Sequence, residues 1–166
     1  YSLYRLIESY GYRTVIIDRP GIGPDDFLFT TDGRRFQREH FPVTPGFPFH
    51  ELGKIHDYAD CFVMGSDQVW NFCICEKYQG AFFLKFAADN KKKLSYAASF
   101  GHPGVCATPE GIEETKHLLE RFDGISVRES GAVDLMRDTF VIVPERVLEP
   151  VFTVEPKIFE ELMKTS

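Results

Sequence analysis

Cys61-Phe62-Val63-Met64-Gly65-Ser66-Asp67-Gln68-Val69-Trp70-Asn71 is the stretch on which the reading of this chain turns. It begins as a short apolar run, bends through a glycine into a polar Ser-Asp-Gln triplet and closes on the single tryptophan of the sequence. A short apolar run bounded by a turn signal reads as a buried strand. A strand that ends in Gly-Ser-Asp-Gln delivers polar groups to the edge of a sheet, which in open α/β sheets is where ligands bind.

Working outward, Lys93-Leu94-Ser95-Tyr96-Ala97-Ala98-Ser99-Phe100-Gly101 alternates as a strand should. Leu94, Tyr96, Ala98 and Phe100 fall on one face and the small residues Ser95, Ala97, Ser99 and Gly101 on the other. That small face permits close approach by a helix or, at the sheet edge, a ligand. Thr108-Pro109 opens a helix with proline at its first position, with Ile112, Thr115, Leu119 and Phe122 as its inner stripe. Gly124-Ile125-Ser126-Val127 is a further strand, ended by Arg128-Glu129-Ser130-Gly131. A helix follows, marked by Ala132, Val133, Leu135 and Met136. Phe140-Val141-Ile142-Val143 reads as another short strand, Val147 to Val151 as an extended exit, and Pro156 to Lys164 as an amphipathic helix.

Upstream, Leu3, Leu6 and Ile7 have helical spacing. Thr14-Val15-Ile16-Ile17-Asp18 is a continuous apolar run of the kind found in strands buried on both faces. Asp18 stands where an acid can bind a ribose in Rossmann-type sheets, but no G-x-G-x-x-G precedes it, so a strand-end turn residue is the favoured reading. Residues 19–50 are rich in Pro, Gly, Asp and Phe and predict an excursion with short helical turns, since a structureless loop of that length is uncommon. Glu51 to Tyr58 predicts a short helix, and Phe82 to Ala87 a short strand or edge segment. Helices and strands alternate throughout, which specifies an α/β fold, Rossmann-like, with a mostly parallel sheet and helices on both faces. Residues 1–166 form one domain on this reading.

Composition narrows the function classes. The chain has 166 residues, a net charge of -6 and 14% aromatic residues. An acidic balance argues against non-specific nucleic-acid binding, which needs a basic face to displace counterions. No apolar run approaches the ~20 residues that span a bilayer. Of the four cysteines, Cys73-Ile74-Cys75 is a C-x-C rather than the C-x-x-C pair of zinc ribbons, and Cys61 reads as core. The spacing leads to an expectation of no metal, and a reduced setting suits the thiols. There is no G-x-S-x-G, Walker A or H-E-x-x-H motif.

Three strand ends carry more polar residues than a turn needs: Gly65-Ser66-Asp67-Gln68, Ser99-Phe100-Gly101-His102 and Arg128-Glu129-Ser130-Gly131. In a parallel sheet they share one side and can converge. Backbone N–H groups at Gly65-Ser66 and Ser130-Gly131 suit an anion, and Arg128 adds a fork matched to carboxylate or phosphate. Asp67 or Glu129 can serve as general acid or base if desolvated. The competing reading is that Asp67, Arg128 and Glu129 cap and bridge neighbouring loops.

The segments Gly65 to Asn71, Lys93 to Gly101 and Phe122-Asp123-Gly124-Ile125-Ser126-Val127-Arg128-Glu129 occur in the same order in the polysaccharide pyruvyl transferase family, which this chain resembles. Val147-Leu148-Glu149-Pro150 resembles that family's V-L-D-P segment, with Glu149 in place of Asp. Leu3-Tyr4-Arg5-Leu6 and Val15 to Asp18 resemble its first helix and second strand. The resemblance covers nearly the whole chain.

The resemblance implies the first half of a GT-B-like two-domain fold, lacking its first strand here and with the C-terminal domain absent. It implies transfer of an enolpyruvyl group from phosphoenolpyruvate to a sugar hydroxyl of a cell-surface polysaccharide, forming a pyruvate ketal. It implies no resident cofactor, with phosphoenolpyruvate as the donor substrate. Partners are the donor, a sugar or lipid-linked oligosaccharide acceptor and the missing domain, with no nucleic acid, in the cytoplasm or at the inner membrane face. Asp67 and Glu129 are then the catalytic candidates. Gly65, Ser66, Gln68, Ser99, Gly101 and Arg128 are the substrate-binding candidates, with Arg128 on the donor anion. Trp70 is a sugar-stacking platform or, preferably, a core anchor. A nucleotide-sugar glycosyltransferase of GT-B type and a non-catalytic carbohydrate-recognition or assembly domain are the alternatives.

Overall fold

The computed structural model of this chain describes residues 1–17, 31–47, 49–75 and 79–164. In chain order these form helices α1 (Ser2–Ser9) and α2 (Thr31–His40), a 3-10 helix (Phe49–Tyr58) and strand β1 (Cys61–Asp67). One-turn helices α3 (Phe72–Cys75) and α4 (Gln79–Phe82) lead to β2 (Lys92–Ala98), α5 (Pro109–Leu119), β3 (Gly124–Val127) and α6 (Ser130–Phe140). The chain continues with β4 (Glu145–Arg146), a 3-10 turn (Pro150–Phe152) and α7 (Lys157–Lys164). The strands make one sheet in the order β1-β2-β3-β4, and every neighbouring pair is parallel. Parallel neighbours require crossovers, and helical segments supply each of them. This is a Rossmann-like α/β fold with helices around the sheet.

Local chemistry sets the crossover helices. The Thr108 hydroxyl accepts from Gly111 N at 3.2 Å, so α5 starts on a side-chain cap with Pro109 at its first turn. Thr115, Leu118 and Leu119 turn inward. In α6, Ala132, Leu135, Met136 and Phe140 make the buried stripe. They join Trp70, Phe83, Phe100 and Val127 in the larger of two apolar clusters. A smaller one gathers Leu52, Ile55, Phe62, Leu84 and Ala87.

The alternation expected along β2 is interrupted. Ala97 adopts φ 51°, and the pairing to β3 shifts register between Ser95 and Ala98. This bulge turns Ala97, Ala98, Ser99 and Phe100 all into the interior. Two buried hydroxyls complete the ladder there. Ser95 Oγ donates to Ser126 O at 3.1 Å and accepts from Ser126 N at 3.0 Å, and Ser126 Oγ donates to Ser95 O at 2.9 Å. The small face of β2 therefore admits a neighbouring strand's polar groups.

Several expectations need correcting. The described part of the 14–18 run does not enter the sheet. Ile16 instead makes an isolated parallel bridge to Val43, with Ile16 N bonding to Pro42 O and Thr44 N to Ile16 O, both at 2.9 Å. Asp18 lies outside the described residues, as do residues 19–30 before α2. Phe140 to Val143 is not a strand. Phe140 is the last inward residue of α6, Val141 turns left-handed at φ 61° to end the helix, and β4 begins only at Glu145. Phe82 to Ala87 leaves α4 as a series of turns that drops Phe83, Leu84 and Ala87 into the core. Cys61 is exposed, because it opens β1 rather than sitting in its middle. Among the described residues no helix is long and apolar enough to cross a membrane.

Candidate active site at the strand ends

The end of β1 is shaped by close backbone approach. Gly65 has φ 127°, and a Cβ there would lie 2.1 Å from the Tyr96 carbonyl oxygen, so only glycine fits. Asp67 follows at φ 76°, a left-handed conformation that aspartate tolerates better than most residues. Its carbonyl accepts from Val69 N at 2.8 Å and Ser99 N at 2.9 Å. The backbone is thereby held by β2 while the carboxylate is left 79% exposed. The adjoining ends are tied in the same way: Arg128 N donates to Ala98 O at 3.3 Å and Val147 N to Val127 O at 2.9 Å.

On this rim the Arg128 guanidinium gathers three carboxylates. Nε donates to Glu129 Oε1 at 2.8 Å, Nη1 to Glu149 Oε2 at 2.8 Å and Nη2 to Asp67 Oδ1 at 3.2 Å. Ser66 Oγ donates to the other oxygen of Glu149. Burial works against the guanidinium's charge, but the bonds to Glu149 and Glu129 outweigh it and hold Arg128 above its usual range. Three of the five guanidinium N–H donors are engaged in this way. Glu129 is also the N-cap residue of α6, yet its side chain makes no capping bond because it faces Arg128. Ser130 and Gly131 open the helix beside it and are exposed.

Ser66, Asp67, Arg128 and Glu129 are thus brought together, as the sharing of one sheet edge requires. Gln68, Ser99 and Gly101 form a different, adjoining arrangement. Asn71 Nδ2 donates to Gln68 Oε1 at 2.8 Å, and Gly101, at φ 76°, packs so tightly that a Cβ would sit 2.3 Å from that oxygen. Ser99 is fully buried, and its hydroxyl accepts from Gly101 N at 3.0 Å. It holds the loop rather than facing solvent. Trp70 is the core anchor and not a platform. It is fully buried, stacks on Phe83 with centroids 5.3 Å apart and donates Nε1–H to Phe82 O at 3.1 Å.

Glu149 is not among the site candidates read from the sequence, although it stands for Asp in the exit segment that resembles V-L-D-P. What makes it part of the cluster is the course of the chain: β4 pairs beside β3 and returns residues 147–149 to the rim.

Chemically, the cluster is an acid-rich edge ordered by one arginine. It offers carboxylate oxygens to hydroxyl donors, with Asp67 the most open of the three. The family model described as polysaccharide pyruvyl transferase matches residues 1–165 of the chain. No curated protein and no solved structure matches it.

Proposed function

Since the chain belongs to the polysaccharide pyruvyl transferase family, we propose that it forms one wall of a site that moves the enolpyruvyl group of phosphoenolpyruvate onto a sugar of a cell-surface polysaccharide. The observation that carries this reading is the Asp67–Arg128–Glu129–Glu149 cluster at the carboxyl ends of parallel strands. Its carboxylates outnumber its guanidinium, and two like charges 4 Å apart repel by about 4 kcal/mol at an effective dielectric near 20. Such an edge suits a polyhydroxylated acceptor better than it recruits a phosphate.

On this proposal a second, GT-B-like domain supplies the basic residues that bring in the donor, and the remaining Arg128 N–H groups meet the donor carboxylate. Asp67, with Glu129 beside it, accepts the proton of the attacking sugar hydroxyl and passes it to solvent water, and the methylene carbon of the donor takes up one proton from that water. The sugar oxygen bonds to the central carbon. A second hydroxyl then displaces phosphate and closes the ketal, its proton leaving with the phosphate. Work at the cytoplasmic face on a lipid-linked acceptor fits the substrate class.

The test uses the full-length protein with phosphoenolpyruvate and oligosaccharide acceptors and follows phosphate release. Acceptor-dependent release with formation of a ketal supports the proposal. Consumption of a nucleotide sugar instead would make it a glycosyltransferase. Sugar binding with no response to phosphoenolpyruvate would make it a recognition domain. Either result overturns the pyruvyl reading.

A further inference from the structure

A second constellation lies near the first on the same side of the sheet and takes no part in that reading. Cys73 comes from α3, and His102 and Cys106 from the loop between β2 and α5, and their ligand atoms all lie within 4.8 Å of one another. His102 Nε2 is 3.6 Å from Cys73 Sγ and 3.7 Å from Cys106 Sγ. In a tetrahedral zinc site, bond lengths of about 2.3 Å to sulfur and about 2.0–2.1 Å to nitrogen put neighbouring S and N atoms about 3.5–3.6 Å apart. We propose that Cys73, His102 and Cys106 form a zinc site with three protein ligands and a fourth position open to water or to a substrate heteroatom.

The surrounding structure holds these ligands in register. Asn71 Oδ1 accepts from Cys73 N at 3.0 Å and so caps α3. Residues two apart on a helix point to opposite sides, which separates the two cysteines of the C-x-C. Cys75 is buried, its thiol donates to Val69 O at 3.3 Å and burial pushes its pKa up to about 11. Cys73 is left on the outer side with His102. His102 is set by Gly101, which packs against the Gln68 and Asn71 side chains. Cys73 and Cys106 are exposed and His102 is half-buried, so an ion can enter from solvent.

Two thiolates and an imidazole neutralise a divalent cation and match a ligand set known for zinc with an open coordination position. Loading balances as follows. Each thiol gives up its proton as a sulfur–zinc bond forms, so two protons are released. The neutral imidazole binds through the Nε2 lone pair and carries its one proton on Nδ1, exchanged through water. Nδ1 now accepts from Gly104 N at 3.2 Å. That contact is given up on loading, and the exposed Gly104 N–H turns to water.

The experiment titrates the reduced full chain with cobalt(II) as a spectroscopic stand-in, then displaces it with zinc. The expected result is one saturating equivalent with thiolate-to-metal charge-transfer absorption and release of two protons per cobalt bound, the absorption being lost, without further proton release, when zinc displaces the cobalt. C61S should behave as wild type, because Cys61 lies at the opposite end of β1. H102A should weaken binding, and C73S/C106S should abolish the charge-transfer band. The same double variant should lose the rise in thermal midpoint that zinc gives the wild type. Absence of a saturable band in the wild type, or its survival in C73S/C106S, overturns the site. Neither readout involves pyruvyl transfer, so the fate of that proposal does not affect this one.

Discussion

Arg128 Nη2 lies 3.2 Å from Asp67 Oδ1, although 61 residues separate the two and β2 runs between their strands. The contact spans the sheet because the carboxyl ends of three neighbouring strands reach one rim. Arg128 is 26% exposed at its side chain and Glu149 25%, against 79% for Asp67. The three bonds of the arginine therefore differ in strength, and that difference is measurable.

A double-mutant cycle between Arg128 and Glu149, by chemical denaturation of R128A, E149A and the pair, should return a coupling of about 1–2 kcal/mol. That lies between an exposed ion pair and a fully buried charge-assisted bond, as befits two side chains about a quarter exposed. The same cycle with Asp67 should return less than about 1 kcal/mol, because solvent screens an open carboxylate. Equal couplings would mean that the guanidinium does not sit as described.

Replacing Arg128 by Lys keeps the charge and removes the fork. In the full-length protein R128K should lower kcat/KM for phosphate release by about 100-fold, the scale of a misplaced catalytic group. Combining it with E149Q should add little, since both changes loosen the same carboxylate. Initial-rate kinetics on the two single variants and the double variant decide this.

Gly65→Ala should destabilise the domain by about 2–4 kcal/mol, combining a clash with the Tyr96 carbonyl and a strained φ. Gly131→Ala is the control. No heavy atom lies within 4 Å of its Cβ position and it sits in the first turn of α6, so it should be neutral or stabilising by up to about 1 kcal/mol. Urea midpoints at constant m compare the two.

Trp70→Ala should cost about 3–5 kcal/mol, as for other fully buried large aromatics. Trp70→Phe should cost less and leave the affinity for sugar acceptors unchanged, because the ring does not reach solvent. Acceptor binding by calorimetry on W70F, with folding followed by circular dichroism, separates an anchor from a platform.

Asp123 closes the opposite end of the sheet. Oδ1 accepts from Lys92 Nζ at 2.5 Å and Oδ2 from Lys93 N at 2.9 Å, and these bonds, that of Lys92 foremost, hold its pKa below the usual 3.8. A carboxyl whose folded pKa is depressed adds stability above its unfolded pKa and loses it as pH falls through the folded value. D123N should therefore be less stable than wild type at neutral pH. The two should converge as the pH drops below about 3.8, which urea midpoints across the acid range will show.

Much of the candidate site was legible from the chain alone. Gly65-Ser66-Asp67-Gln68 and Arg128-Glu129 were recognisable as polar strand ends because a parallel sheet puts such ends on one side. Glu149 was visible only as the acid of the exit segment that resembles V-L-D-P, and nothing local there says that its side chain meets Arg128. Ser99 and Gly101 read as pocket residues, but a bulge at Ala97 reverses the pattern and buries the Ser99 hydroxyl. Phe140 to Val143 has the apolar character of a strand, and the α6 stripe took its first residue because packing outweighs propensity.

The sequence by itself determined the class of fold, since alternating helical and strand periodicities leave few arrangements besides a parallel sheet with crossovers. It also determined the family, through ordered motifs longer than chance allows, and the need for glycine where φ is positive. Tertiary structure alone decided which polar groups meet. Arg128 finds Asp67 and Glu149, and His102 finds Cys73, because strand register and loop course bring distant segments within 4 Å. Such contacts depend on long-range packing, which no local window of residues encodes.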